Sequence, residues 1–170
     1  MSIIRWSLFL GLAALLLAPG AAAAQTFQSP GSFISQSLGS GASGRVLQLS
    51  GAQQAQARSI MGHGIGGRVR YWRSGGSTVW ILNGIGKYKP ITTGWLVSGG
   101  RIRRARVLVY REAPHGLEVR FPQFTSQFSG AGLSGTRLNR GISNISGATL
   151  SVNSMKRMAA LALYLASIAK

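Results

Sequence analysis

The 170-residue sequence contains no cysteine and no aspartate, and its only acidic side chains are Glu112 and Glu118, set against nineteen lysines and arginines for a formal net charge of +17. Without thiols there is neither a disulfide framework nor a Cys-ligated metal, and nothing ties the fold to an oxidising compartment. His63, His115 and the two glutamates form no recognisable metal-ligand spacing. No aspartate is present to orient a histidine and no G-x-S-x-G elbow occurs, which argues against serine-hydrolase chemistry too. The near absence of negative charge leaves a field that draws anionic partners: nucleic acid, acidic lipid headgroups, acidic redox proteins or phosphate-bearing cofactors. The basic residues are dispersed along the chain rather than gathered in one block.

The N-terminus reads as an export signal. Met1 to Arg5 supplies a short charged region, Trp6 to Ala18 a Leu/Ala-rich apolar run, Pro19-Gly20 a break, and Ala22-Ala23-Ala24 a small-residue cleavage site before Gln25. The apolar run is short for a membrane span, although an uncleaved N-terminal anchor is the competing reading. The expected organisation is a signal peptide over residues 1–24, a Gln/Ser/Gly-rich flexible lead-in over 25–44, and one domain over 45–170. Export places the mature chain in the periplasm or on the outer face of the cytoplasmic membrane, where nucleic acid is not an expected partner.

Within the domain, Val46-Leu47-Gln48-Leu49 reads as a short strand and Gly51 to Met61 as a short helix. Gly62-His63-Gly64-Ile65-Gly66-Gly67 satisfies the spacing G-x-G-x-x-G, but a helix precedes it and a strand follows, the reverse of a dinucleotide fingerprint, so it is read as a turn. Arg68 to Arg73 and Thr78 to Leu82 alternate around the turn Ser74-Gly75-Gly76-Ser77, and Ile91 to Ser98 and Arg101 to Tyr110 are joined by Gly99-Gly100. Consecutive hairpins of this kind predict an α+β fold: a curled antiparallel sheet of about four to six strands packed against helices. Arg101, Arg103, Arg104 and Arg106 put charge on both faces of the last strand's first half, as a solvated edge that discourages sheet-to-sheet pairing or as a docking patch for an acidic partner or membrane.

Arg111 to Glu118 holds both acids and His115, with Pro114 and Gly116 forcing an irregular loop. The two carboxylates and the histidine suit acid/base work, or the glutamates pair with nearby arginines. Phe121, Phe124 and Phe128 follow at helical spacing and are expected in the core, and residues 129–141 form a loop. From Val152 through Met155, Met158, Ala159, Ala162 and Leu165 to Ala169, apolar residues recur at helical intervals and predict an amphipathic C-terminal helix.

Ahead of that helix runs Ile142-Ser143-Asn144-Ile145-Ser146-Gly147-Ala148-Thr149-Leu150-Ser151. A hydroxyl at a helix start can sit where a phosphate is held, because the first N–H groups have no intrahelical partner. Thr149 or Ser151 as a plain N-cap is the simpler reading of the same residues. Lys156 and Arg157, in the helix's first turns, could reach a phosphate on Thr149 or face solvent.

Ser146-Gly147-Ala148-Thr149 resembles the acceptor motif of the FMN-binding domain family, found in Rnf and Nqr respiratory subunits and in small exported proteins. The resemblance extends upstream through Trp80 to Lys87, Pro90-Ile91-Thr92, Val107 to Glu112, Gly116 to Arg120 and Gln127 to Gly130, and so covers roughly residues 45 to 169 in the family's order. It implies that FMN is joined by its phosphate to the Thr149 hydroxyl and that a separate flavin transferase makes the bond. It further implies that Ser146, Gly147, Ala148 and Leu150 surround the attachment point and that Glu112, Gly116 and Glu118 lie beside the flavin. The family's usual acid six positions before the threonine is Ser143 here, and acids found in related sequences are replaced by Asn83 and Gly84. The implied function is electron transfer by an exported carrier rather than a turnover enzyme, with acidic or membrane-bound redox partners. The alternative is a cofactor-free basic domain that binds polyanions or membrane surfaces.

Overall fold

The computed structural model describes residues 24–112 and 116–169. The expected leader up to residue 23, and Pro114 and His115 of the acidic loop, lie outside the described residues. The architecture is α+β: a six-stranded, open, wholly antiparallel sheet with helices on both faces.

Four strands make up the sheet's centre, in sequence order: β3 (Arg68–Ser74), β4 (Ser77–Ile85), β5 (Pro90–Ser98) and β6 (Arg101–Tyr110). Their turns are made by glycines, with Gly75 at φ +54° and Gly99 and Gly100 at φ +59° and +68°, a region a side chain rarely enters. At one edge β2 (Ser43–Gln48) pairs with β3 after the helix α2 (Gly51–Met61) has been looped out; at the other, β1 (Gln25–Thr26) pairs with the end of β6. The order is therefore β1-β6-β5-β4-β3-β2.

The larger core lies on one face, under α2 and the C-terminal helix α4 (Thr149–Ile168). Trp80 and Trp95 are fully buried there, and each indole N–H donates to a threonine on its own strand, Thr78 Oγ1 at 3.0 Å and Thr93 Oγ1 at 2.7 Å. Two large rings are thus buried without an unpaired donor. Tyr71 stacks on Trp80, and Phe128 meets Trp95 edge-on. The expected apolar stripe of α4 is buried as far as Leu165, and from Met158 to Leu163 every residue is buried, because the sheet, α2 and a small hairpin, β7 (Leu133–Ser134) with β8 (Arg137–Leu138), surround the helix. Gly84 makes the close approach possible: a Cβ there would lie 2.5 Å from Ser154 Oγ and 2.9 Å from Met158 Sδ. A glycine rather than an acid at this position follows from that packing.

The segment expected as a flexible lead-in is part of the fold. After β1, helix α1 (Pro30–Leu38) starts with Ser29 accepting from the Ser32 N–H at 3.1 Å and with Pro30 in its first turn, and ends at Gly39. It covers the opposite face of the sheet, where Phe33 and Ile34 bury against Val79 and Leu108. Gly94 forms the socket, since a Cβ on it would come within 2.6 Å of the Phe33 ring.

Two further expectations change with the packing. The β5–β6 register shifts between Leu96 and Val97, so Arg103 is an extra residue, a bulge that keeps Ile102 and Ala105 in the core and turns Arg104 and Arg106 towards α1. Arg104 lies over the Phe33 ring and donates to Gln36. The phenylalanines at 121, 124 and 128 do not share one helix: a 3₁₀ turn (Leu117–Arg120), the four-residue α3 (Pro122–Thr125) and a second 3₁₀ turn (Ser126–Phe128) follow one another, so Phe124 and Phe128 are buried while Phe121 is exposed and packs on the Arg120 guanidinium.

Candidate functional site

The start of α4 is built by a tight turn. Gly147 adopts φ +80° and the Ala148 N–H donates to Ile145 O at 2.9 Å, so the third position of this turn needs a residue that tolerates positive φ. Ala148 is the N-cap, and with no hydroxyl to offer it leaves the helix without a side-chain cap. The structure therefore departs from the plain N-cap reading of Thr149 and Ser151. Thr149 is the first helical residue; it is exposed, and its Oγ1 accepts from Asn144 Nδ2 at 2.9 Å. Ser151 is buried and lies 3.4 Å from the Tyr110 hydroxyl. The N–H groups of the first turn, with the positive end of the helix dipole, remain available to an acceptor from outside.

These N–H groups open onto a cleft of about 420 Å³. Gly147, Ala148, Thr149, Leu150 and Ser151 form one side, and Lys87, Tyr88 and Lys89 from the β4–β5 connection form the other, with Arg111, Glu112 and Gly116 between them. Tyr88 and Leu150 are large apolar residues left 77% and 52% exposed at this opening. The volume is that of a small-molecule site, and its mix of apolar rim and few convergent polar groups is what such sites use.

The Glu112 carboxylate shapes the far wall. It accepts the backbone N–H groups of Lys87, at 2.7 Å, Tyr88 and Lys89, and among the described residues these, not arginine side chains, are its partners. Partial burial pushes its pKa up, but the three N–H donors and the Lys87 charge outweigh burial and hold it below the ordinary glutamate value. Gly86 leaves room for this seat, since a Cβ there would stand 2.6 Å from Glu112 Oε2. Arg111 is fixed by donating to Pro90 O at 3.1 Å and Thr92 Oγ1 at 2.9 Å, and the Thr92 hydroxyl donates in turn to Asn83 at 2.7 Å. At the base, Gly116 sits at φ +79° where a Cβ would lie 2.6 Å from the Tyr110 hydroxyl. Burial raises the pKa of that phenol, with the charges of Glu112 and Glu118 adding to the effect and the Ser151 hydrogen bond opposing it.

Of the residues singled out from the sequence, Gly147, Ala148, Thr149, Leu150, Glu112 and Gly116 converge on this one cleft. Ser146 is exposed in the turn just before it. Glu118 is displaced to a shallow depression with Phe121, Phe124 and Ile145. Lys156 and Arg157 line a different cleft altogether, since seven residues along a helix return Lys156 to Thr149's side but carry it about two turns up the axis. The sequence reasoning missed Lys87, Tyr88, Lys89 and Arg111 as site residues, and Asn144 as the partner of Thr149. Nothing local in Lys87-Tyr88-Lys89 marks it as a wall of a site.

No protein-family model, curated protein or solved structure matches the chain. The site's own groups define what it can hold. It offers helix N–H donors, three cations and a surface hydroxyl, which together suit an anionic ester. Among the described residues the hydrogen-bond partner of Thr149 Oγ1 is the Asn144 amide, which does not take the hydroxyl proton.

Proposed function

We propose that this chain is an exported flavoprotein that carries FMN through a phosphoester on Thr149 and transfers electrons as a carrier. The observation that carries the reading is the position of Thr149. An exposed hydroxyl stands at the uncapped start of a 20-residue helix and faces a cleft edged by Lys87, Lys89 and Arg111. A phosphate joined there would meet helix N–H donors and opposing cations together, the arrangement that favours a bound phosphate.

The remaining lining fits a flat, largely apolar ring system. Tyr88 and Leu150 supply exposed apolar surface at the mouth, and Gly116 and Ala148 keep the base free of bulk. Glu112 maintains the opposite wall by holding the 87–89 backbone in place. The small residues Ser146, Gly147 and Ala148 leave the hydroxyl accessible to a transferase. Bound flavin supplies one- and two-electron chemistry that no side chain of this protein offers, and the chain's part is to position and enclose it. Export motivates a covalent link, because a dissociating cofactor would be lost outside the cytoplasm. Lys156 and Glu118 have no place in this reading of the cleft.

The test is to co-express the mature chain with a flavin transferase, denature the product, and measure flavin absorbance and intact mass. Flavin that stays with the polypeptide and is lost in Thr149→Ala supports the proposal. A wild-type product of unmodified mass that binds heparin in a salt-sensitive way refutes it and favours a cofactor-free polyanion-binding domain.

A further inference from the structure

We infer that the chain has a second anion site, distinct from the Thr149 cleft, which binds a compact, multiply charged phosphoryl group. A cleft of about 580 Å³ lies between the C-terminal end of α2, the β7–β8 hairpin and α4. Arg137 from β8, Arg140 from the loop behind it, and Lys156 and Arg157 from α4 all line it, and no carboxylate does. The chain's only two glutamates line other clefts, so four like charges surround one void with no counter-charge from the protein. Like charges gathered in this way repel one another, and a multivalent anion among them relieves the repulsion.

Two of the four cations are also held in place. Arg140 Nη1 donates to Ser129 O at 2.6 Å and Arg157 Nη1 to Met61 O at 3.3 Å, so each guanidinium is anchored by one nitrogen and, among the described residues, keeps its other N–H donors for a ligand. Met61 O belongs to the last turn of α2, where a cation is favoured by the helix dipole as well. Asn153, Lys156 and Arg157 stand at positions i, i+3 and i+4 of α4 and so share a face, which adds a neutral amide donor to the cations. A phosphoryl oxygen cluster accepts from planar guanidinium groups and an ammonium group in the way this set offers. The phosphoryl group can be free, as in pyrophosphate, or borne on a lipid headgroup. The inference does not rest on flavin attachment, because no residue of this cleft lines the other.

The experiment titrates pyrophosphate calorimetrically, at low ionic strength, into the mature chain and into its Thr149→Ala form, so that flavin loading cannot influence the result. A parallel arm measures sedimentation with vesicles of phosphatidylglycerol and phosphatidylcholine. The variant is Arg137→Gln with Lys156→Gln; Arg137 is exposed and Lys156 partly so, and a melting temperature no lower than that of the wild type verifies its fold. The control is Lys87→Gln with Lys89→Gln. Pyrophosphate should bind, and the affinity of one equivalent should fall by about tenfold or more in the Arg137/Lys156 variant but not in the control. Vesicle binding with the same variant dependence and no response to pyrophosphate supports the site and assigns the phosphate to lipid. Absence of binding in both arms, binding indifferent to the Arg137/Lys156 variant, or loss confined to the Lys87/Lys89 control overturns the inference.

Discussion

Glu112→Gln tests whether a single carboxylate organises the wall opposite Thr149. The substitution keeps size and one acceptor oxygen but removes the charge that receives the N–H groups of Lys87, Tyr88 and Lys89. A hydrogen bond to a charged group contributes about 1.5–3 kcal/mol. The 87–89 segment is exposed, however, and water replaces part of what is lost, so the total cost should be about 1–2 kcal/mol rather than the sum of three bonds. For a chain of this size that corresponds to a fall of roughly 3–6 °C in Tm. The pH dependence has a definite sign. Glu112 titrates below its ordinary value of 4.5 in the folded protein, so the unfolded chain holds the proton more tightly. The stabilisation is complete above the unfolded value, declines as pH falls through the folded value, and is absent below it. Thermal unfolding of wild type and variant should therefore differ at neutral pH and converge in strongly acidic buffer. Carbon-13 NMR of the side-chain carboxylates gives a direct check, because the chain has only two glutamates and no aspartate, and the variant assigns the signals by removing one. A Glu112 pKa at or above the ordinary value, or a Tm difference that persists unchanged into acid, would refute the reasoning.

Gly84→Ala should destabilise by about 1–3 kcal/mol, because its methyl would be forced against Ser154 and Met158; urea unfolding should show a lower midpoint at unchanged m. An unaltered midpoint would mean that α4 is free to move away from β4. Phe33→Ala should cost about 3–5 kcal/mol, since the ring is fully buried over Gly94, and limited proteolysis should then cut within residues 25–44. Wild-type stability in that variant would restore the segment to the status of a linker.

Much of the sheet was legible along the chain. Alternation in β3, β4, β5 and β6 and the glycine pairs between them are local signals, because strand period and positive φ are properties of a few neighbouring residues. The same holds for the apolar repeat of α4 and for the Ser146 to Thr149 turn at its start. Helix α1 was not legible, since two buried side chains in a Gln/Ser/Gly background become a packed helix only when Gly94 supplies a socket from a distant strand. The bulge at Arg103 escaped because register is decided by the partner strand as well as by the strand's own pattern.

The site divides along the same line. Sequence alone marked Thr149 and its small neighbours, and placed a hydroxyl at a helix start, since helix onset is encoded within a turn. Only tertiary structure set Lys87 to Lys89 opposite that hydroxyl, gave Glu112 its three amide partners, and brought Arg137 and Arg140 to the cleft that Lys156 and Arg157 line. The physical reason is that backbone conformation is chosen by neighbours in the chain, whereas the surroundings of a charge are chosen by whatever the folded sheet brings within a few ångströms of it.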